Sequence, residues 1–261
     1  MIQIRDLHKS YGENEVLKGV NIDIMDGEIL TIIGGSGEGK TVLLKCMIGL
    51  IRPDRGEIII DGTDITKLGE RGLAQVQKKF GMLFQASALF DSMTVAENVA
   101  FGLHNLTKLP GEQKKKVVTE KLNMVGLEAV EHLKPEELSG GMKKRVALAR
   151  AIAMGPKYIL YDEPTTGLDP IMADVINELI IYLQKTLEIT SVAVTHDMVS
   201  AYKISNRLAM LYDGKIEGVG TPDEIKHTEN QVIRQFVSGS GKGPIKTGVL
   251  KIRRQAERKG I

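Results

Sequence analysis

The segment from Gly34 to Thr41 has the residue types and spacing of a phosphate-binding loop. Its sequence, GGSGEGKT, fits the pattern G-x-x-x-x-G-K-[ST]. Glycines allow backbone N–H groups to turn inward around an anion, and a following helix adds unpaired donors and the positive end of its dipole. Lys40 supplies a mobile positive charge for the β- and γ-phosphates, and the Thr41 hydroxyl can bind Mg²⁺. The predicted phosphate-binding residues are Gly34, Gly35, Ser36, Gly37, Glu38, Gly39, Lys40 and Thr41.

The elements on either side of this segment support that interpretation. Ile29 to Ile33 predicts a strand before it, and Val42 to Ile48 predicts a helix after it. The alternative, a Gly-rich turn with a surface lysine, is disfavoured because the strand and the helix both fall where a phosphate-binding loop needs them. Cys46 lies on the predicted helix without an evident activating group, so we interpret it as a small core residue rather than a nucleophile.

A second group of polar residues follows the apolar run Tyr158 to Tyr161, which ends in Asp162 and Glu163. A buried parallel strand presents functional groups at its carboxyl end, at the same edge of the sheet as the phosphate-binding loop. Asp162 is therefore predicted to lie on the Mg²⁺ side of the site, and Glu163 is placed to orient and deprotonate an attacking water. The alternative is a strand that leaves the sheet into solvent through Asp-Glu-Pro.

The sequence Leu138-Ser139-Gly140-Gly141-Met142 opens a predicted helix. Ser139 could act only as an N-cap, and it lacks the Glu or Gln three residues later that completes a capping box. Two glycines in a first helical turn cost roughly 1 kcal/mol each relative to alanine, which indicates that something approaches the backbone there. A helix N-terminus with Ser and Gly is typical of an anion-binding site, which would be the second in this chain. The phosphate-binding loop alone already provides for the phosphates of one nucleotide.

The elements that position these residues alternate between apolar runs and stretches of helical spacing. This alternation predicts an α/β domain with a largely parallel sheet, because parallel strands need crossover connections that are usually helices. The early strands lie too close together for that rule, so 2–33 and 57–61 predict an antiparallel layer. The predicted strands are Ile2–Leu7, Val20–Ile24, Ile29–Ile33, Ile58–Ile60, Gly81–Phe84, Tyr158–Tyr161 and Ser191–Val194.

Between Gln85 and Met154 the strand pattern disappears, which predicts a helical subdomain inserted at about residues 86–155. Its predicted helices are Thr94–Asn105, Pro110–Val125 and Gly140–Ala153. The last residues, 237–261, are predicted to form a separate basic tail. From Lys242 onward there are seven Lys or Arg against one Glu, a net +6, so the rest of the chain carries −4.

Composition excludes several classes of protein. With 261 residues, 42% hydrophobic and 26% charged, most of the chain can bury a core and is not intrinsically disordered. A net charge of +2 is too small for a protein that coats nucleic acid, so no nucleic-acid partner is expected. One cysteine excludes an intrachain disulfide and Cys-rich zinc modules, and suits a reducing compartment. No apolar run approaches the ~18 residues of a membrane helix, so we expect any membrane role to come through a partner.

From Met1 to about Phe236 the sequence resembles the ATP-binding cassette (ABC) ATPases, through the phosphate-binding loop, the Asp-Glu strand end and the Ser-Gly-Gly helix start. The resemblance implies a P-loop NTPase fold, with a RecA-like α/β core, an antiparallel β layer and the inserted helical subdomain, all within a domain at 1–236. It also implies ATP and Mg²⁺ as cofactors. In the family's head-to-tail dimer, the residues matching Ser139, Gly140, Gly141 and Met142 contact ATP held by the partner's loop.

Other residues gain a role only through this resemblance. Tyr11 matches the aromatic residue that stacks on adenine, and Val16 is a further implied nucleotide-binding residue. Gln85 matches the residue that links Mg²⁺ and water to the helical subdomain. The sequence Gly167-Leu168-Asp169 resembles the dimer-contact loop, and His196 the switch histidine near the γ-phosphate. The implied catalytic residues are thus Glu163, His196, Gln85 and Lys40, and the implied metal ligands are Thr41, Gln85 and Asp162.

Two positions depart from the common family pattern. Val42 replaces a hydroxyl residue and removes one side-chain donor to the α-phosphate, while its backbone N–H remains. Met142 replaces the usual glutamine at the end of the signature. In Met142 and in the segments 84–99, 234–236 and 243–245, the sequence resembles the Mla type of this family. That type is the ATPase of bacterial Mce-dependent phospholipid transport.

The resemblance therefore implies a homodimer that hydrolyses ATP on the cytoplasmic side of the inner membrane, as a peripheral protein. Its expected partners are an integral membrane permease and Mce-domain and accessory lipid-transport subunits. One alternative is the ATPase of a soluble assembly, such as iron–sulfur cluster assembly; Leu89 and Phe90 disfavour it as a predicted apolar docking patch. Another is a non-hydrolysing regulator, which the presence of Glu163 and His196 disfavours. A DNA-acting ABC protein is disfavoured because no long heptad-bearing arm interrupts the cassette.

Overall fold

Two β-sheets and nine α-helices account for most of residues 1–245, the part of the chain that the computed structural model describes. Most of the predicted basic tail, 246–261, lies outside the described residues. The strands are β1 (Ile2–Tyr11), β2 (Asn14–Ile24), β3 (Ile29–Ile33), β4 (Arg55–Ile60), β5 (Thr63–Asp64), β6 (Phe80–Leu83), β7 (Tyr158–Asp162), β8 (Thr190–Thr195), β9 (Arg207–Tyr212) and β10 (Lys215–Gly220).

The helices follow the strands in the order that a crossover topology requires. They are α1 (Lys40–Met47), α2 (Glu70–Gln77), α3 (Val95–Leu106), α4 (Gly111–Met124), α5 (Gly140–Ile152), α6 (Pro170–Leu187), α7 (Met198–Ile204), α8 (Pro222–Lys226) and α9 (Gln231–Val237). Short 3₁₀ turns occur at Ile65–Lys67 and Pro135–Glu137. Within residues 1–245, no helix has the length and apolar character needed to cross a membrane.

The central sheet has the strand order β10-β9-β3-β8-β7-β6. All its neighbouring strands run parallel except β9 and β10, which form an antiparallel hairpin. Every residue of β3, β7 and β8 is buried, as expected for parallel strands covered on both faces. The carboxyl ends of β3 and β7 therefore lie at one edge of the sheet, with β8 between them.

The second sheet has the order β2-β1-β4-β5 and is antiparallel throughout. It confirms the predicted antiparallel layer, with one correction. The prediction placed 29–33 in this layer, but β3 lies in the middle of the parallel sheet. The physical reason is that β3 is buried at every position and apolar at four of its five residues, whereas β1 of the outer layer alternates in part between buried and partly exposed residues.

Three helices, α3, α4 and α5, occupy the chain between β6 and β7, as the loss of strand pattern predicts. Thr94 and Glu97 form a capping box at the start of α3. Pro110 is the N-cap of α4, and Gly126 follows the end of that helix with a φ of 69°. Apolar side chains of the three helices pack in one cluster with residues of β6, β7 and α6. Cys46 is fully buried in the other large cluster, and burial raises the pKa of its thiol to about 11, which agrees with a core residue.

Candidate functional site

The phosphate-binding loop joins β3 to α1 at the carboxyl edge of the central sheet. Two of its glycines are required by close approaches of other chain segments. A Cβ atom at Gly34 would lie 2.3 Å from the carbonyl oxygen of Leu211, and one at Gly39 would lie 2.7 Å from Cγ1 of Val16. Gly39 also has a φ of 98°, a left-handed conformation that favours glycine. Packing between β9 and β2 therefore fixes the backbone of the loop at these two glycines.

Lys40, the first residue of α1, turns its side chain back over the loop. Its Nζ atom donates to the carbonyl oxygens of Gly34 at 2.8 Å and Gly35 at 2.9 Å, and lies 3.8 Å from Oε1 of Glu163. Burial of the ammonium lowers the pKa of Lys40, although the carboxylate of Glu163 partly opposes this. A buried cation on a loop of backbone donors suits a multiply charged phosphate.

Thr41 and Asp162 meet across this edge of the sheet. The Thr41 hydroxyl donates to Oδ1 of Asp162 at 2.9 Å, and burial raises the pKa of that carboxyl group. These oxygens are the hard ligands that Mg²⁺ prefers, and a cation there would offset the cost of burying the carboxylate. In residues 1–245 no group of three or more His, Cys, Asp or Glu side chains is arranged to hold a metal ion.

Glu163 directly follows β7 and has a left-handed backbone, with a φ of 49°. Such a conformation is costly for a residue with a Cβ and is maintained when the surroundings over-determine it. The Oε2 atom of Glu163 accepts hydrogen bonds from the hydroxyls of Thr166 and Thr195, each at 3.2 Å, and lies 3.0 Å from Nδ1 of His196. One carboxylate oxygen is thus held by three side chains, and Oε1 lies on the Lys40 side.

A cavity of about 750 Å³ joins most of the predicted nucleotide and catalytic residues. Its lining consists of Tyr11, Val16, Gly35, Ser36, Gly37, Gly39, Lys40, Thr41, Val42, Gln85, Glu163, His196 and Phe236. Three predicted residues of this region lie beside the cavity lining. Gly34 packs on Leu211, Glu38 accepts a hydrogen bond from the backbone N–H of Asp213, and Asp162 binds Thr41.

The four signature residues, Ser139 to Met142, do not line this cavity within the described part of the chain. Ser139 is the N-cap of α5 and accepts a hydrogen bond from the backbone N–H of Met142 at 3.2 Å. At Gly141 a Cβ atom would lie 2.4 Å from Cε of Met172, the end of a flexible side chain of α6 that would have to shift. Gly140 has no such neighbour, because its nearest side-chain atom, in Leu168, is 3.8 Å away. Gly140 therefore leaves backbone open to a ligand or a partner.

Sequence reasoning missed three contributors to the site. Phe236 of α9 lines the cavity, Thr195 at the end of β8 binds Glu163, and Lys144 of α5 donates to the carbonyl oxygens of Gln85 and Glu163. Phe236 and Thr195 carry no local signal, since their approach depends on tertiary packing. Lys144 carries a weak local signal, because it lies close to an apolar run in the sequence of α5.

Comparisons with known proteins agree with this geometry. The family model described as ABC transporter matches residues 17–166. The chain is 40% identical, over 94% of its length and 93% of the relative's, to the intermembrane phospholipid transport system ATP-binding protein MlaF of Haemophilus influenzae. It is also 40% identical, over 94% of its length and 70% of the relative's, to the probable ribonucleotide transport ATP-binding protein mkl of Mycobacterium leprae.

A solved structure shares the fold. It is the dimeric structure of an ATP-binding cassette in a post-hydrolysis state bound to ADP and Pi, with a TM-score of 0.78 and 35% identity over 85% of this chain and 99% of that one. The fold class predicted from the sequence is confirmed by this likeness and by the family match. Lys40, Thr41 and the anchored Glu163 line one cavity, and Asp162 binds Thr41 beside it. The chain belongs to the ABC transporter family as an ABC-type, ATP-binding ATPase.

Proposed function

We propose that Glu163 is the general base of Mg²⁺-dependent ATP hydrolysis in the 750 Å³ cavity. The observation that carries this proposal is the fixed carboxylate of Glu163, whose Oε2 is held by Thr166, Thr195 and His196. With Oε2 occupied, Oε1 is the oxygen available to orient a water and accept its proton. Lys40 and the loop N–H groups stabilise negative charge on the phosphates, which is most of what phosphoryl transfer asks of a protein.

Thr41 and Asp162 would hold Mg²⁺, with Gln85 as the third protein group near it. The cation supplies neutralisation of charge on phosphate oxygens. Tyr11 and Val16 line the cavity and would contact the adenine, and Val42 contributes its backbone N–H to the phosphates. His196 contacts Glu163 and would hold its carboxylate in place near the γ-phosphate.

We further propose a head-to-tail homodimer in which Ser139, Gly140, Gly141 and Met142 contact the nucleotide of the partner chain. Two observations support it: the signature residues do not line their own chain's cavity, and a similar cassette has a dimeric structure. Mixing Lys40→Ala chains with Ser139→Arg chains tests the shared site. Their heterodimer contains one site with both changes and one with neither, so activity should partly return on mixing. Full activity of the Ser139→Arg homodimer would contradict a shared site.

The transported substrate that we propose is a phospholipid, moved by a permease on whose cytoplasmic side this chain is peripheral. A relative named for intermembrane phospholipid transport matches almost the whole chain. Phe90 is 41% exposed, and its ring centroid lies 4.6 Å from that of Phe101. With Leu89 it forms an apolar patch for docking of the permease. Mce-domain and accessory subunits complete the proposed assembly. The competing candidate is a ribonucleotide, for which the second relative is named.

Purification of the native complex, followed by reconstitution into lipid vesicles, distinguishes these substrates. Co-purification of a multi-span permease and a Mce-domain protein, with ATP-dependent transfer of a labelled phospholipid, is the expected result. ATP-dependent uptake of a labelled ribonucleotide without phospholipid transfer would replace our proposal with the competing one. Recovery of soluble assembly proteins alone, without a permease, would contradict both.

We also propose that residues 1–236 form the ATPase domain, with the helical subdomain at about 86–155, and that 237–261 contacts a partner subunit. Support for the tail contact comes from its net +6 against −4 in the rest of the chain, and from the apolar Val249, Leu250 and Ile252. Deletion after Phe236 should loosen the dimer or the permease complex and leave nucleotide binding unchanged. Sedimentation and co-purification measure this, and wild-type behaviour of the truncated chain would contradict it.

A further inference from the structure

The side chain of Lys144 is buried between α5 and the two loops that carry Gln85 and Glu163. It is 4% exposed, and Lys40 is the other lysine among the buried residues of 1–245. The Nζ atom of Lys144 donates to the carbonyl oxygen of Gln85 at 2.6 Å and lies 3.4 Å from that of Glu163. One ammonium group thus contacts the main chain of two residues whose side chains enter the nucleotide cavity.

Packing alone does not account for a lysine at this position. Burial lowers the pKa of Lys144, even though the charges of Asp162 and Glu163 favour its protonated form. A methionine would fill a similar volume without the cost of desolvating an ammonium. The two carbonyl contacts are therefore the distinctive consequence of having lysine here.

The three segments that Lys144 joins are separate elements of the fold. Gln85 follows β6, Glu163 follows β7, and these two strands are adjacent and parallel, so their carboxyl ends lie side by side. Lys144 itself is on α5, about one turn after the N-cap Ser139. The Lys144 ammonium therefore links the signature end of α5 to the chain at the ends of β6 and β7.

A second cation of α5 holds the same loop but does not reach Glu163. The guanidinium of Arg150 donates to the carbonyl oxygens of Ser87 at 2.8 Å and Ala88 at 2.7 Å. Ser87 and Ala88 have left-handed backbones, with φ of 63° and 48°. The turn after Gln85 is thus strained. Lys144 and Arg150 both hold this turn to α5, and of these two side chains Lys144 also contacts the loop of Glu163.

We propose that Lys144 is a positioning residue for ATP hydrolysis: its ammonium fixes the main chain at Gln85 and at Glu163 to α5, and so sets the distance between their side chains. This inference rests on the roles proposed above for those two residues. It assigns the link between the signature helix and the hydrolytic carboxylate to one side chain. A misplacement of reacting groups by about 1 Å costs on the order of 10²-fold in rate, which sets the scale of the effect.

The test compares Lys144→Met, Lys144→Gln and Lys144→Arg in the full chain, with Lys116→Met, an exposed lysine of α4, as the control. Lys144→Met should lower kcat by about 10–100-fold, while KM for ATP and the affinity for a non-hydrolysable ATP analogue stay within about twofold. Lys144→Arg, which keeps a charged donor, should recover most of kcat. Lys116→Met should match the wild type. A kcat within twofold of wild type for Lys144→Met, or no recovery with arginine, would overturn the proposal.

Amide hydrogen exchange provides a readout that does not depend on turnover. The backbone N–H groups of Ser87 and Thr166 donate to the carbonyls of Phe84 and Glu163, so both loops contain protected amides. In Lys144→Gln, exchange should accelerate several-fold at 84–88 and 163–166 and remain unchanged in α1. Acceleration throughout the chain would make Lys144 a folding residue and overturn the proposal. A wild-type chain without ATPase activity would refute the proposed function, whereas the exchange pattern would still decide whether Lys144 joins the loops.

Discussion

The carboxyl groups at the two ends of β7 have pKa values shifted in opposite directions. At its amino end, the Tyr158 hydroxyl and the Lys157 ammonium each donate to Oδ1 of Asp61 at 2.6 Å, and Lys79 donates to its other oxygen at 2.8 Å. Although burial acts to raise it, these donors hold the pKa of Asp61 well below its usual range. At the carboxyl end, burial raises the pKa of Asp162.

The difference teaches where this fold places stability and where it places function. The Asp61 cluster binds its charge better than water does, so it stabilises the native state. At the other edge, burial disfavours the charged forms of Asp162 and Lys40. A bound phosphate would provide an opposite charge for Lys40, and a bound cation would provide one for Asp162. Five residues of one strand separate a stabilising ion cluster from a site that is less stable without its ligand.

The largest effect should come from the carboxyl end. Glu163→Gln should leave ATP binding intact and lower turnover by about 10²–10⁴-fold, the usual scale for losing a general base. The amide keeps the size of the side chain but cannot accept the proton of the attacking water. Steady-state ATPase assays and binding of an ATP analogue measure the two properties separately.

Lys40→Ala is the matched comparison at the same edge. Its loss should weaken nucleotide binding itself, because Lys40 is a buried cation that lies over the phosphate-binding loop and would attract the phosphates. Turnover of Glu163→Gln within a few-fold of wild type would show that another group is the base.

The next effect should come from the amino end and concern stability. Asp61→Asn should lower the free energy of unfolding by about 1–2 kcal/mol, since hydrogen bonds to a charged acceptor contribute about 1.5–3 kcal/mol and exposure of the two lysines to solvent reduces that contribution. ATPase activity per folded molecule should not change. Urea unfolding, with activity measured on the same samples, checks both statements. Equal stability of variant and wild type would remove the contrast between the two ends of β7.

The same contrast separates what the sequence could predict from what it could not. The phosphate-binding loop, β3, β7 and Asp162 with Glu163 were predictable because each depends on a local pattern: an apolar run, then glycines or acids. The hairpin β9–β10 was missed, although Asp213-Gly214 between its strands is a typical hairpin turn. This hairpin is therefore encoded locally, unlike the side-chain contacts of the site.

The Asp61 cluster and the contacts of Glu163 are different, because no local pattern encodes them. Asp61 follows β4, and its partners Lys79 and Lys157 precede β6 and β7 far along the chain. Thr195 likewise reaches the site through the order of strands in the sheet, and Lys144 reaches it through the packing of α5. Side-chain partners across a parallel sheet follow from tertiary packing, which spacing in the sequence does not specify.

A smaller effect of opposite sign should follow at the carboxyl end. Asp162→Asn should raise the free energy of unfolding of the nucleotide-free chain by about 1 kcal/mol, because burial of the charged carboxylate is unfavourable there. The amide oxygen can still accept from Thr41. Mg²⁺-dependent nucleotide binding should weaken in the same variant. Urea unfolding in a chelator measures the first effect, and a loss of stability as large as that of Asp61→Asn would contradict it.

The smallest effect is a dependence on pH that distinguishes the two carboxyl groups. Because the native pKa of Asp61 lies below the usual value of 3.8, its stabilisation is complete above that value and disappears as the pH falls toward the native pKa. Because the native pKa of Asp162 lies above 3.8, its destabilisation is complete above the native pKa and disappears as the pH falls toward 3.8. At neutral pH, the two Asn variants should therefore differ from wild type in stability with opposite signs. Both differences should become smaller as the pH is lowered, and the Asp162 difference should begin to do so at a higher pH than the Asp61 difference. Urea unfolding between about pH 7 and pH 3 measures both differences. If the two differences had the same sign at pH 7, or if that of Asp61 disappeared first, the two ends of β7 would not differ in the way their contacts imply.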